Sequence, residues 1–280
     1  MPNLVGENEI SRGAGPILTP IELYCIAKEI RRRTIKSIYQ AQSGQLGSTL
    51  SCIEILTVLF FHQMNTETEL RDRFILSKGQ AAPSLYATLS LKGFISEEQL
   101  STLCTMGSPL QGRPVKDSLP YMDASTGSLG QGLSIGIGYA LSSRLHNEKR
   151  RVFVLLGDGE LQEGQNWEAA MCAAKFGLDN LVAIVDYNKF QNNGTIKETM
   201  PIETLVEKYK AFGWNVRATD GHNMEELIGT LQHVRANGQP WAIIAHTKKG
   251  KGISFIEEDL NWFCKTLEKD DFELAMKELS

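Results

Sequence analysis

With 280 residues, 42% hydrophobic and 22% charged, the chain has ordinary globular composition and room for one large α/β domain or two small ones. A formal net charge of -4 speaks against nucleic acid as the main partner, because a phosphate backbone asks for a basic face. Cys25, Cys52, Cys104, Cys172 and Cys264 are odd in number, scattered and never spaced Cys-x-x-Cys, which excludes a disulfide framework or zinc site and makes a reducing cytoplasm the expectation.

In chain order, residues 1–18 are rich in Gly, Pro and Asn and are expected to form a flexible arm. Residues 19–280 are expected to form one domain. A helix should start at Thr19-Pro20-Ile21-Glu22, where Thr19 can cap, Pro20 suits the first helical position and Glu22 can close a capping box. Leu23, Ile26, Ala27, Ile30 and Ile38 follow its apolar stripe, and Arg31-Arg32-Arg33 read as its solvated face. Leu50 to Phe61 reads as a second helix, Arg73-Phe-Ile-Leu76 as a short strand, and residues 83–106 as helices. No basic-then-apolar leader is expected, and no apolar run approaches the roughly 20 residues of a membrane helix.

The clearest unit spans residues 151–188. Val152-Phe-Val-Leu-Leu156 and Leu181-Val-Ala-Ile-Val185 are continuous apolar runs, as strands buried on both faces should be. They are joined by a helix with Trp167, Ala170, Met171 and Ala174 on one stripe. This is a β-α-β unit, expected to cross over right-handed. Further strands are expected near Gly213 to Val216 and Trp241 to Ala245. The alternation predicts an α/β fold: a parallel sheet flanked by helices on both faces.

Loops after parallel strands open at one edge, where ligands bind. Asp158 ends one strand and Asn188 the next. One carboxylate and one amide oxygen are hard ligands suited to Mg²⁺ or Ca²⁺, with coordination left over for phosphate oxygens and water. Gly157 and Gly159 leave the backbone open to a diphosphate, and the helix that follows should point its N-terminus at it. Neither a Gly-x-Gly-x-x-Gly fingerprint nor a P-loop is present.

The stretch from Gly157 to Gln191 resembles the thiamine-diphosphate signature of transketolases. Ser77-Lys78-Gly79, Thr126-Gly127-Ser128-Leu129-Gly130-Gln131-Gly132, Asp220-Gly221-His222-Asn223 and Lys249-Gly250-Lys251-Gly252 extend the likeness over most of the chain. The resemblance is to the N-terminal, diphosphate-binding (PP) domain. It implies thiamine diphosphate as cofactor and a divalent ion on Asp158, Asn188 and the carbonyl of Phe190. It also implies cofactor contacts at Gly127 and Leu129, and Glu163 at the contact with a partner domain. Lys249 is a further candidate for the phosphates. Full-length transketolases carry a second, pyrimidine-binding domain, so the likeness implies a split enzyme. A C-terminal transketolase-like subunit would complete the site, in an α2β2 assembly.

Where that family places histidines, this chain has Gln45, Gln80 and Arg113, and Trp262-Phe263-Cys264 stands for Trp-His-Gly. Glutamine cannot shuttle a proton near neutrality, whereas Arg113 keeps a fixed charge that can grip a carboxylate or phosphate. These three are the candidate catalytic residues on the substrate side. An ion pair of Arg113 with the cofactor diphosphate or a nearby acid, and neutral drift at Gln45 and Gln80, stay open beside that role. The readings left open are two-carbon transfer from a phosphorylated ketose, transfer from an α-keto acid such as pyruvate, and a non-catalytic scaffold. Intact Asp158 and Asn188 argue against the last.

Overall fold

The computed structural model describes residues 18–66, 69–191, 194–262 and 265–280. The expected arm, apart from Leu18, lies outside them, as do Phe263 and Cys264.

Along the chain come α1 (Pro20–Ala41), α2 (Leu46–Leu50), α3 (Ile53–Val58), β1 (Arg73–Leu76), α4 (Ala82–Leu91), α5 (Glu97–Leu100), α6 (Gly132–Leu145) and β2 (Val152–Gly157). Next come α7 (Gly164–Lys175), β3 (Leu181–Tyr187), a small antiparallel ribbon of β4 (Phe190–Gln191) and β5 (Gly194–Thr195), α8 (Ile196–Thr199) and α9 (Leu205–Ala211). The chain continues with β6 (Asn215–Asp220), α10 (Met224–Gln232), β7 (Trp241–His246) and α11 (Lys269–Glu278). Five strands form one sheet in the order β1-β2-β3-β7-β6, every neighbouring pair parallel.

Strand periodicity sorts the core into two layers. Val152, Val154 and Leu156 of β2 pack with Leu133 and Ile137 of α6, Ala169 and Ala173 of α7 and Leu205 of α9. Phe153 and Leu155, alternating with them, pack with Ile30 of α1, Leu56 of α3, Leu85 of α4 and Leu227 of α10. Covering both faces is what makes β2 wholly buried and its sequence unbrokenly apolar. Each such Val, Leu or Ile contributes roughly 1.5–3 kcal/mol.

α1 begins as the sequence predicts. Glu22 N–H donates to Thr19 Oγ1 at 3.3 Å, Thr19 N–H donates to Glu22 Oε2 at 2.7 Å, and Pro20 takes the first turn. The basic triplet is not a solvated face: Arg31 is 6% exposed and pairs with Glu54 at 2.6 Å, because the helical period turns it toward α3. The expected helix Leu50 to Phe61 is broken into α2, α3 and a wide turn over Leu59–Gln63. Leu46–Gln63 is an 18-residue apolar segment of mean hydropathy 1.3, longer than the sequence alone suggests, and 89% of it is buried in the core. The strand expected near Gly213 to Val216 runs instead over Asn215–Asp220. It is one of the sheet's two edge strands, and its exposed Arg217 and Asp220 leave it a weak apolar signal.

Candidate active site at the carboxyl edge of the sheet

Because the sheet is parallel, the ends of β1, β2, β3 and β7 deliver Ser77-Lys78-Gly79, Asp158, Asn188 and Thr247 to one edge. Gly157 and Asp186 are register partners, so Asp158 and Asn188 leave neighbouring strands side by side. They are 2% and 4% exposed. One Asp158 carboxylate oxygen accepts from Gly159 N–H at 2.8 Å and the other from Lys189 N–H, on the residue beside Asn188. Asn188 Oδ1 accepts from Phe190 N–H at 3.1 Å. Burial first, then the charge of Asp186, pushes the Asp158 carboxyl up to about 7, against the pull of those backbone donors. Among the described residues no cation bonds it.

Asp186, two residues before Asn188, has the opposite surroundings. It accepts from the Lys78 ammonium, from Ser51 Oγ at 2.6 Å and from Thr247 Oγ1. Lys78 is itself completed by Ser48 O at 2.8 Å and Ser51 Oγ at 3.3 Å. Burial opposes the charge on each, but their mutual attraction wins: the carboxyl is held down and the ammonium up. The network joins α2, β1, β3 and the loop after β7 beneath the site.

Glu160 performs a third task. One carboxylate oxygen accepts from Ser77 Oγ and from Gly130 N–H at 2.8 Å, and the other from Gly157 N–H at 3.0 Å. It thereby ties the glycine-rich loop to the ends of β1 and β2. Burial raises its pKa against these three donors. The loop's glycines permit the same approach. A Cβ on Gly132 would lie 2.2 Å from Ser77 Oγ, and one on Gly79 would lie 2.9 Å from the backbone N of Gly127.

These elements enclose a cavity of about 370 Å³. Of the residues singled out from the sequence, Gln45, Gln80, Arg113, Gly127, Leu129, Gly157, Asp158, Gly159, Asn188 and Phe190 line it. Two do not. Glu163 stands exposed at the start of α7, against Gly130. Lys249 is buried behind Gly47 of α2, where a Cβ would meet its stem at 2.8 Å. The helix after Asp158 is also set back: a short 3-10 turn over Gly159–Gln162 intervenes before α7. His222, expected in a turn, is fixed on both sides. Lys248 N–H donates to its Nε2 at 2.8 Å, so the ring proton sits on Nδ1, facing Glu54 Oε2 at 3.0 Å.

Sequence reasoning assigns no role to Glu160, Asp186 or Thr247. Glu160 follows Gly-Asp-Gly directly, and an acid fully buried beside a glycine turn needs donors there. Asp186 opens the Asp-Tyr-Asn break of β3, and a charge closing a buried strand needs a partner.

The donor set fits a divalent cation. Asp158 offers a buried carboxylate without a bonded cation, Asn188 an amide oxygen and Phe190 a carbonyl. Among the described residues no group of three or more His, Cys, Asp or Glu side chains stands together to hold a metal. An ion here would therefore draw other ligands from a diphosphate and water.

Residues 24–280 match the family described as "Transketolase, thiamine diphosphate binding domain". The chain is 40% identical over 257 residues to an apulose-4-phosphate transketolase subunit of Phocaeicola vulgatus, covering 89% of this chain and 91% of that one. It is 40% identical over 265 residues to the 6-deoxy-6-sulfo-D-fructose transketolase subunit SqwG of Clostridium sp., covering 92% and 96%. The structure of Campylobacter jejuni transketolase superposes with a TM-score of 0.87 at 28% identity, over 94% of this chain. The chain spans 43% of that transketolase and 41% of the human one, to which it is 40% identical. The chain belongs to the transketolase thiamine-diphosphate-binding domain family, and the parallel sheet with helices on both faces is that family's diphosphate-binding fold.

Proposed function

We propose that this chain is the cofactor-holding subunit of a Mg²⁺-dependent, thiamine-diphosphate-dependent transferase that moves a two-carbon unit to an aldehyde or ketone acceptor. A C-terminal transketolase-like subunit completes the site, in an α2β2 assembly. The observation that carries the reading is the pairing of Asp158 and Asn188 at adjacent strand ends on one cavity wall. Two further findings support the partner: relatives of this chain's own length are named as transketolase subunits, and full-length transketolases are more than twice as long. A reducing, cytoplasmic setting belongs to the same reading, since the five scattered cysteines of the sequence offer no disulfide framework.

Asp158, Asn188 Oδ1 and the Phe190 carbonyl would hold Mg²⁺ or Ca²⁺, Gly157 and Gly159 would border the diphosphate, and Gly127 and Leu129 would border the cofactor. Glu163, at the exposed rim, would meet the partner. When bound, thiamine diphosphate supplies the carbon nucleophile and electron sink for the transfer. The chain's own work is binding and orientation. Lys78 and Asp186 brace the end of β3 that presents Asn188, and Glu160 locks the glycine loop against Ser77 and Gly157. Gln45 and Gln80 offer neutral hydrogen bonds to substrate, and Lys249 supports α2 from behind.

The test is Asp158→Ala in the chain co-purified with its partner, with cofactor binding followed by calorimetry across a Mg²⁺ titration. Metal-dependent affinity should fall by more than about 100-fold, beyond what loss of an outer-shell group costs. Undiminished Mg²⁺-dependent binding would refute the metal assignment. Full activity of the isolated chain would refute the shared site.

A further inference from the structure

Of the two cations that line the cavity among the described residues, Lys78 is ion-paired and Arg113 is not. The Lys78 ammonium is committed to Asp186, Ser48 O and Ser51, and Glu160 is committed to three donors. Arg113 differs. Its stem rests on Gly127, where a Cβ would lie 3.0 Å from Arg113 Cγ and 3.1 Å from Cδ. Its guanidinium donates to the Gly112 carbonyl at 2.7 Å, stays exposed, and forms no ion pair among the described residues. Beside it on the same wall stand Gln45 and Gln80, neutral at every working pH, and no histidine lines the cavity among the described residues.

We propose that Arg113 is the residue that selects the donor, and that it does so by receiving the carboxylate of a 2-oxo acid. This deepens the proposed function and rests on it. Arg113 lies on Gly127, whose backbone abuts Gly79, and shares its wall with Gln45 and Gln80, so an anion held there lies beside the candidate substrate-side residues. A 2-oxo acid carries its anion next to its carbonyl. A phosphorylated sugar carries its anion several bonds away, at the far end of the chain. The planar guanidinium fork matches a carboxylate in bidentate fashion. The wall's chemistry agrees. Cleaving a ketose requires a base to take a hydroxyl proton, and Gln45, Gln80 and Arg113 cannot act as one near neutrality. A 2-oxo acid needs none. Its C1–C2 bond breaks, the carboxylate carbon leaves as CO2, and the electron pair stays on the former carbonyl carbon. That pair then forms the new bond to the acceptor aldehyde carbon, whose oxygen takes a proton from water. The sum is 2-oxo acid anion plus aldehyde plus H⁺ giving hydroxyketone plus CO2.

Arg113 acts in binding and not in bond breaking. It stabilises the anion before cleavage, and the neutral CO2 that departs no longer feels it, so its ion pair favours the ground state. That separates KM from kcat. In the holoenzyme co-purified with its partner, Arg113→Gln should weaken binding of oxamate, a non-reacting pyruvate isostere, by roughly 10- to 100-fold in calorimetry. KM for pyruvate should rise in parallel, with kcat unchanged or higher and cofactor affinity unchanged, and Arg113→Lys should recover part of the loss. The proposal is overturned if oxamate binds the variant as well as the native enzyme. It is equally overturned if cofactor and oxamate affinity fall together, since Arg113 then pairs with the diphosphate, or if a ketose phosphate is consumed and pyruvate is not. Failure of the proposed function would look different: the native complex would show no Mg²⁺-dependent cofactor binding at all.

Discussion

Asp158 and Asp186 end neighbouring strands of one sheet, and both are buried, yet their electrostatic states are opposite. Asp186 is saturated by an ammonium and two hydroxyls and is held ionised. Asp158 has only backbone donors, and burial together with the charge of Asp186 pushes it up to about 7. The residue type is the same and the depth is nearly the same. What differs is whether the fold supplies a countercharge. Where it does, the carboxylate is structural; where it does not, the carboxylate is available to an incoming cation.

The comparison breaks most visibly at Asp186. Asp186→Asn leaves the Lys78 charge buried without its partner and should cost about 3–5 kcal/mol, read from denaturant unfolding. Glu54 sharpens the point, because it is a buried carboxylate of the Asp186 kind. Burial raises its pKa, but the Arg31 guanidinium and His222 overcome that and hold it down to about 2. Because the folded value lies below the unfolded one of about 4.5, its contribution of about 3 kcal/mol is fully present above pH 4.5 and fades as pH falls toward 2. Glu54→Gln should destabilise the protein by a similar amount at pH 7, and its stability should vary less between pH 4.5 and 2 than that of the native chain. The smallest effect should come from Asp158→Asn. Without metal, its unfolding free energy should stay within about 1 kcal/mol of the native value, since the charge it removes has no bonded countercharge. A loss as large as that of Asp186→Asn would show that Asp158 is structural too.

Legibility follows the same division. β2 and β3 can be read residue by residue because strands covered on both faces are continuously apolar. The start of α1 is legible because a capping box is a local pattern. The edge strand β6 lies beyond its expected place because Arg217, Ala218 and Asp220 are exposed, so it carries no continuous apolar run. Arg31 defeats a sequence reading because three consecutive arginines look solvated until the helix turns one of them toward Glu54 on another element. The cavity wall is largely legible, since Gln45, Gln80, Arg113, Asp158 and Asn188 all stand on it. The brace behind it is not: Glu160 looks like any acid in a turn, and nothing local reveals that Ser77, Gly130 and Gly157 converge on it.

The sequence alone determined where the buried strands end and which oxygen-bearing side chains stand at those ends, because apolar continuity and glycine breaks are written in neighbouring residues. Only the tertiary structure decided which of those carboxylates is neutralised, because Lys78 meets Asp186 across 108 positions of chain, and a Coulomb interaction depends on distance in space, not along the sequence.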